Sequence, residues 1–339
     1  MESLNSSNRI AARPLVRKKL ELCVEPHWWT WTQCSTIPWN RSLQQAGVSS
    51  FRHQPHRLYH YFGAALAKPG LVRNFRVSKK KAFLLGLNWA SETRLFPITY
   101  WHEVIPWITD CWPPQFAKWH RIFRRHSFPH VFFSAQDCLK EFAPRHPDIA
   151  FHWLPEAVVP ENFDPTLPLA ARDWGVLEMG RKYETYHSVL REALPMEPQH
   201  IHGRFFQPGA ELRSSLARAK VLVCFPKSVS SPGEAGGIET LTPRYLEGMA
   251  SGCLVIGQSP RELIDLFGFN PVIEVDWARP GAQIQDVLEN PNQYQPMVDR
   301  NLQRLREVGT FNTRASTMLS VLHHSGYYWD ASEDIPIRK

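Results

Sequence analysis

The chain has 339 residues, 43% of them hydrophobic and 21% charged, with a formal net charge of +7. That length exceeds one ordinary domain and suggests two of roughly 150 residues, and the apolar fraction excludes bulk disorder. No run reaches the ~18 consecutive apolar residues of a membrane-spanning helix.

Residues 1–18 contain no apolar signal-peptide core and read as a basic tail. The positive charge gathers in three places: Arg9 to Lys19, Arg73 to Lys81, and Lys118 to Arg125. Such clusters suit a phosphorylated substrate, an acidic membrane surface or nucleic acid; solvated surface charge is the alternative. Six cysteines occur without a C-x-x-C pair or zinc spacing, and read as reduced thiols of a cytosolic protein.

Taken in chain order, 19–25 reads as a strand and 38–47 as a helix with Pro38 at its start and Gly47 as its stop. "VSSFRH", "KAFLLGLNW", "LFPITYWHEV", "HVFFSA" and "IAFHWL" are short apolar strand candidates. Helices are predicted at about 114–127 and 136–143. Eleven of the thirteen tryptophans lie at or before Trp174, so the two halves differ and a boundary belongs near there. The Pro-rich, aperiodic 154–173 reads as the linker. Beyond it the rhythm restarts with strands in "WGVLEMG", "KVLVCFP", "CLVIG" and "NPVIEVDW". Helices fall in "YETYHSVLREAL", "ELRSSLARA", "TPRYLEGMASG", "PRELIDLF" and most of 281–326. The fold class is therefore α/β, with parallel sheets covered by helices and a site in the cleft between two Rossmann-like domains.

Chemistry concentrates in "GGIETLTPRYLEGMASGCLVIG", where seven residues separate Glu239 from Glu247. Thr242 suits a helix N-cap and Pro243 the first helical position. The N-terminus of that helix offers amides and partial positive charge to a diphosphate. A carboxylate can accept two hydrogen bonds from a vicinal diol, so one glutamate can hold a ribose and the other a second sugar. By themselves, two glutamates near a helix start also simply favour its dipole.

The E-x7-E spacing followed by "GMASGCLVI" resembles the donor-site signature of retaining nucleotide-sugar glycosyltransferases of the GT-B fold, in the large family four group. "VLEMGRK" and "ARAKVLVCFPKS" resemble neighbouring strands of that family, and "TPRYLEGMASG" is similar to the CgeB-like branch. The resemblance is specific over about 174–275 and loose before it.

It implies two Rossmann-like domains with parallel sheets facing across a cleft. An acceptor-binding domain would span 19–158, a linker 159–172 and a donor-binding domain 173–315, with 316–339 crossing back to the first domain. It implies Glu247 on the ribose, Glu239 beside the transferred sugar and Arg181 on the diphosphate. Lys182, Thr240, Leu241, Thr242 and Arg244 join the donor set. "TLT" stands where the family has glycine-rich wording, and Lys182 is out of register with the family's second cation.

His102 is expected to face the sugar across the cleft, or else to be a satisfied strand-end histidine, with Glu103 a weaker acceptor-side base. Loop 227–237 reads as a lid or a plain insertion. Trp28, Trp29 and Trp31 read as a sugar-stacking surface or core. The 113–128 segment forms a basic amphipathic helix, suited to a membrane surface or to packing on its own sheet.

The expected activity is metal-independent, retaining transfer of a sugar from a nucleoside diphosphate sugar, with no cofactor. The acceptor would be a sugar, a lipid-linked or a small molecule. The expected location is cytoplasmic, with peripheral membrane contact through the first domain as an option and no nucleic-acid partner. Two alternatives belong to other classes: a catalytically silent GT-B nucleotide-sugar-binding protein, and a nucleic-acid-binding protein motivated by charge alone.

Overall fold

The computed structural model describes residues 17–24, 33–52, 81–87, 95, 98–194, 199–203 and 209–331. The basic tail to residue 16, the cluster Arg73 to Lys80, and Trp28, Trp29 and Trp31 lie outside the described residues.

The first sheet contains β1 (Lys18–Val24), β2 (Ser50–Arg52), β3 (Lys81–Leu87), β4 (Glu103–Ile108), β5 (His130–Phe133), β6 (Ala150–Trp153) and β12 (Tyr327–Tyr328). Its order is β12-β1-β3-β4-β5-β6 with β2 also on β1, all parallel. The apolar runs of β3 and β4 are buried along nearly their whole length, as strands covered on both faces must be. One face packs with α3 (Phe116–Arg125) and α4 (Asp137–Phe142), the other with α1 (Gln33–Gln45) and α13 (Phe311–His324).

The second sheet contains β7 (Trp174–Met179), β8 (His200–Gly203), β9 (Ala219–Cys224), β10 (Leu254–Gly257) and β11 (Ile273–Glu274), in the order β11-β10-β9-β7-β8, all parallel. Around it lie α5 (Glu184–Ala193), α6 (Ala210–Arg218), α9 (Pro243–Ala250), α10 (Arg261–Phe267), α11 (Pro280–Glu289) and α12 (Pro291–Val308). Its two faces carry separate apolar clusters, one around Tyr245, Leu246 and Leu222, the other around Tyr186, Val221 and Ile256.

The chain crosses between domains twice, and the crossings lie side by side. Val158 bridges Thr310, and the buried Arg314 donates from Nε to the Pro155 carbonyl at 2.9 Å. Arg172 closes the 154–173 segment onto the second domain, donating to the carbonyls of Ala219 at 2.8 Å and Ser251 at 2.6 Å. From Phe311 onward the chain returns to the first domain. Phe311, Met318, Leu322 and Trp329 pack with Leu20, Trp39 and Trp107, and β12 adds to the edge of β1.

Several elements differ from the reading of the sequence. "LFPITYWHEV" is not one strand: α2 (Ile98–Trp101) is a helical turn closed by the His102 amide on the Ile98 carbonyl at 2.9 Å, and β4 begins only at Glu103. A short apolar run satisfies a buried turn as well as a strand. Helix α1 starts at Gln33, so Pro38 sits inside it. Burial of Trp39 and Leu43 on one face offsets the lost donor, at about 1.5–3 kcal/mol for each large side chain. Strands β8 and β12 were not expected; "HIHG" and "YY" are too short or too polar to stand out.

The segment 227–237 folds as two turns, α7 (Lys227–Ser230) and α8 (Pro232–Ala235). There the buried Lys227 ammonium lies 4.2 Å from the Trp112 ring of the other domain and pairs with Glu234 at 3.0 Å. Helix α3 buries Trp119, Ile122 and Phe123 against its own sheet and leaves Lys118, Arg121 and Arg124 exposed.

Candidate functional site

In the second sheet the strand order reverses between β7 and β9, and ligands of open parallel sheets bind beyond the carboxyl ends of the strands at such a point. The loop after β7 supplies Gly180, Arg181 and Lys182, and the loop after β9 supplies Phe225. Gly180 takes φ +82°, a left-handed conformation that other residues adopt only with strain, and so turns the backbone away from the strand end. These residues form one wall of a cavity of about 700 Å³ between the domains. The facing wall comes from Asp110 to Trp112 after β4, Ser134 and Ala135 after β5, and the crossing segment 156–159.

Helix α9 points into this cavity. Thr242 is its N-cap and Pro243 its first residue, but no side chain caps the first turn. Its positive end is therefore left to the cavity that Thr240, Leu241, Thr242, Pro243 and Arg244 line. Glu247 lies just over one turn along, 8% exposed, and accepts a hydrogen bond from Arg244 Nη1 at 2.7 Å. Arg181 is exposed at the cavity wall, and Lys182 lies 3.6 Å from Glu184. Arg181, Lys182, Thr240, Leu241, Thr242, Arg244 and Glu247 are thus brought together in one cavity.

Glu239 and His102 are not. The Glu239 carboxylate accepts the Arg261 amide at 2.7 Å and so caps α10; its own amide donates to Asp137 Oδ2 at 3.3 Å. His102 precedes β4, at the end of the strand opposite the cavity, and its ring meets Phe83 edge-on at 4.6 Å. At ~3.3 Å per residue the strand separates it from the cavity wall by roughly 20 Å. Glu103 is engaged by Lys18 Nζ at 2.5 Å and the Tyr327 hydroxyl at 2.6 Å, tying the sheet's far end to the returning C-terminal strand.

Two residues absent from the sequence reading stand out. Glu262, 3% exposed, joins the domains: Oε1 accepts the Gln136 amide of the first domain, while Oε2 accepts the Thr240 hydroxyl at 2.9 Å and the Leu241 amide at 2.8 Å. Burial pushes its carboxyl up to about 7, against the pull of those three donors. Asp110 is a cavity-lining carboxylate with φ +52°, the one non-glycine at positive φ among the described residues. A strained backbone at a site wall is a functional pointer, and aspartate's tolerance of that region was its only signal in sequence.

Residues 174–320 match the family described as glycosyl transferase-like. Anabaena HepE, solved in complex with UDP and glucose, is similar at TM-score 0.56 and 10% identity, over 91% of this chain and 100% of that one.

The chain has the GT-B fold.

A sucrose-phosphate synthase from Thermosynechococcus elongatus is similar at TM-score 0.55 and 13% identity, over 91% and 99% of the two chains. A glycosyltransferase from Rickettsia africae gives 0.53 and 10%, over 91% and 98%. No curated protein matches the sequence significantly. In the GT-B arrangement the 174–320 match falls on the wall that carries Arg181, Arg244 and Glu247.

Proposed function

We propose that this GT-B chain is a glycosyltransferase that takes its sugar from a nucleoside diphosphate sugar. One observation carries the reading: three cationic side chains, an uncapped helix start and the buried Glu247 converge on one cavity at the switch point of the second sheet. Glu247 would exchange its Arg244 partner for the ribose diol. Arg181, Lys182 and Arg244 would meet the diphosphate and stabilise the charge that grows on it as the sugar bond breaks. With that much positive charge present, the donor needs no metal ion to hold it.

The geometry supports assigning the sugar-side contacts to the Thr240–Thr242 loop, with Glu239 fixing that loop to α10. Acceptor binding falls to the first domain, where Asp110 offers a carboxylate. Retention of configuration by front-face substitution, with the departing phosphate taking the acceptor proton, belongs to the same proposal. UDP, bound by the similar HepE, is the first nucleotide to try.

One alternative has an observation behind it: with Glu239 committed to a helix cap, the fold could bind a nucleotide sugar without turning it over. Thermal shift with a panel of nucleoside diphosphate sugars, followed by assay of nucleoside diphosphate release, separates the two. The proposal expects at least one donor to raise Tm and to be consumed, with both effects lost in Arg181→Ala. A shift without consumption of any donor, with or without acceptors, supports the silent binder. No shift with any nucleotide contradicts both.

A further inference from the structure

The second sheet carries a polar cluster that the proposed reaction does not use. Glu178 stands near the end of β7, His187 at the close of the first turn of α5 and His200 at the start of β8. Glu178 Oε2 lies 2.5 Å from His187 Nδ1 and 2.7 Å from His200 Nε2. The side chains are 5%, 11% and 7% exposed respectively, so the cluster is shielded from water. One potential ligand atom from each residue lies within 4.8 Å of the others.

We infer that Glu178, His187 and His200 form a divalent transition-metal site, with zinc the ion their donors suit, distinct from the nucleotide cavity. Two imidazole nitrogens and one carboxylate oxygen are a zinc donor set that leaves a fourth, tetrahedral position to water. The parallel register pairs Glu178 with His202, which lies two residues beyond His200 on the same face of β8. The His202 and His187 ring centroids are 5.6 Å apart. His187 and His200 thus flank one buried glutamate, with the exposed His202 at the edge of the cluster.

The present contacts are hydrogen bonds. With ligand bonds of about 2.0–2.1 Å, a tetrahedral ion holds its ligand atoms about 3.3 Å apart. Binding therefore spreads each nitrogen from the carboxylate by under about 1 Å. A bound ion would take a ring-nitrogen lone pair from each imidazole and an oxygen from ionised Glu178, and any displaced proton moves to the other ring nitrogen or to solvent. The consequence is local and mechanical. Arg181 and Lys182 sit on the turn between β7 and α5, and an ion gripping both elements would fix that turn.

The test uses the metal-stripped full chain titrated with Co²⁺, whose visible absorption reports coordination, followed by displacement with Zn²⁺. The expected result is one Co²⁺ per chain with four- or five-coordinate absorption, zinc displacement, and a Tm raised by several degrees. His187→Asn and His200→Asn should each weaken binding at least tenfold, and His202→Asn less. Stoichiometric uptake that is unchanged in both His187→Asn and His200→Asn, or no uptake by the wild type, overturns the site. If a variant does not fold, X-ray absorption of the zinc-loaded wild type decides: two imidazole ligands support the site, and none contradicts it.

Discussion

Glu262 carries more of the architecture than either glutamate of the E-x7-E pair. It is buried, and all three of its partners are backbone or hydroxyl donors, two of them on the loop that lines the cavity. Glu262→Gln puts an amide N–H₂ where an acceptor is needed and leaves at least one buried donor unpaired, at about 1–3 kcal/mol. Thermal unfolding should show a lower Tm. The pH dependence has a definite sign. The folded carboxyl titrates near 7, above its ordinary value, so the folded state holds the proton more tightly than the unfolded chain. The stability this contributes is full below about 4.5 and is lost as pH rises through about 7. The Tm advantage of wild type over Glu262→Gln should therefore shrink across that window; an advantage that grows would contradict the assignment. In the sequence Glu262 was hidden by an ordinary role, since an acid in the first turn of "RELIDLF" needs no explanation beyond the helix dipole. Glu239 was hard to place for the converse reason. Its spacing to Glu247 was legible, but whether its carboxylate faces the cavity or turns to α10 depends on where α10 starts in space.

At the scale of elements, the site depends on how closely α9 lies on β9. Gly248 makes that approach: a Cβ there would stand 2.4 Å from Leu222 Cδ2, in the centre of the second domain's core. Gly248→Ala must displace a fully buried leucine and is expected to cost about 1–3 kcal/mol, with Tm falling by about 2–4 °C per kcal/mol. An unchanged Tm would show that α9 can shift without loss. The strands around this contact were legible because a buried parallel strand is a dense apolar run. Elements whose identity rests on partners were not. The turn "ITYW" reads equally as strand, and β8 is a strand because β7 pairs with it, from Val176 with His200 to Met179 with Gly203. The metal cluster escaped for the same reason. Glu178, His187 and His200 have no zinc spacing along the chain and meet only through the β7–β8 register and the fold-back of α5.

The whole molecule is two parallel sheets joined by two adjacent crossings, with the carboxyl ends of their strands turned toward a common cleft. Alternating strands and helices on either side of a Pro-rich segment were enough to expect that plan. The ends of individual strands were harder: reading 95–104 as strand placed His102 at the cleft, whereas the structure puts it at the opposite end of β4. What no residue pattern conveyed is how the domains hold each other, through Glu262 on Gln136 and Lys227 on Trp112. These contacts set the width of the cavity in which the nucleotide is proposed to bind. Among the described residues no helix is long and apolar enough to cross a membrane. The most direct test of the central claim is a calorimetric titration of UDP into the wild type and Glu247→Ala. The expected result is one site per chain in the wild type and at least a tenfold weaker site in the variant. Equal affinity in both, or no heat from the wild type with UDP or any other nucleoside diphosphate, would contradict the account.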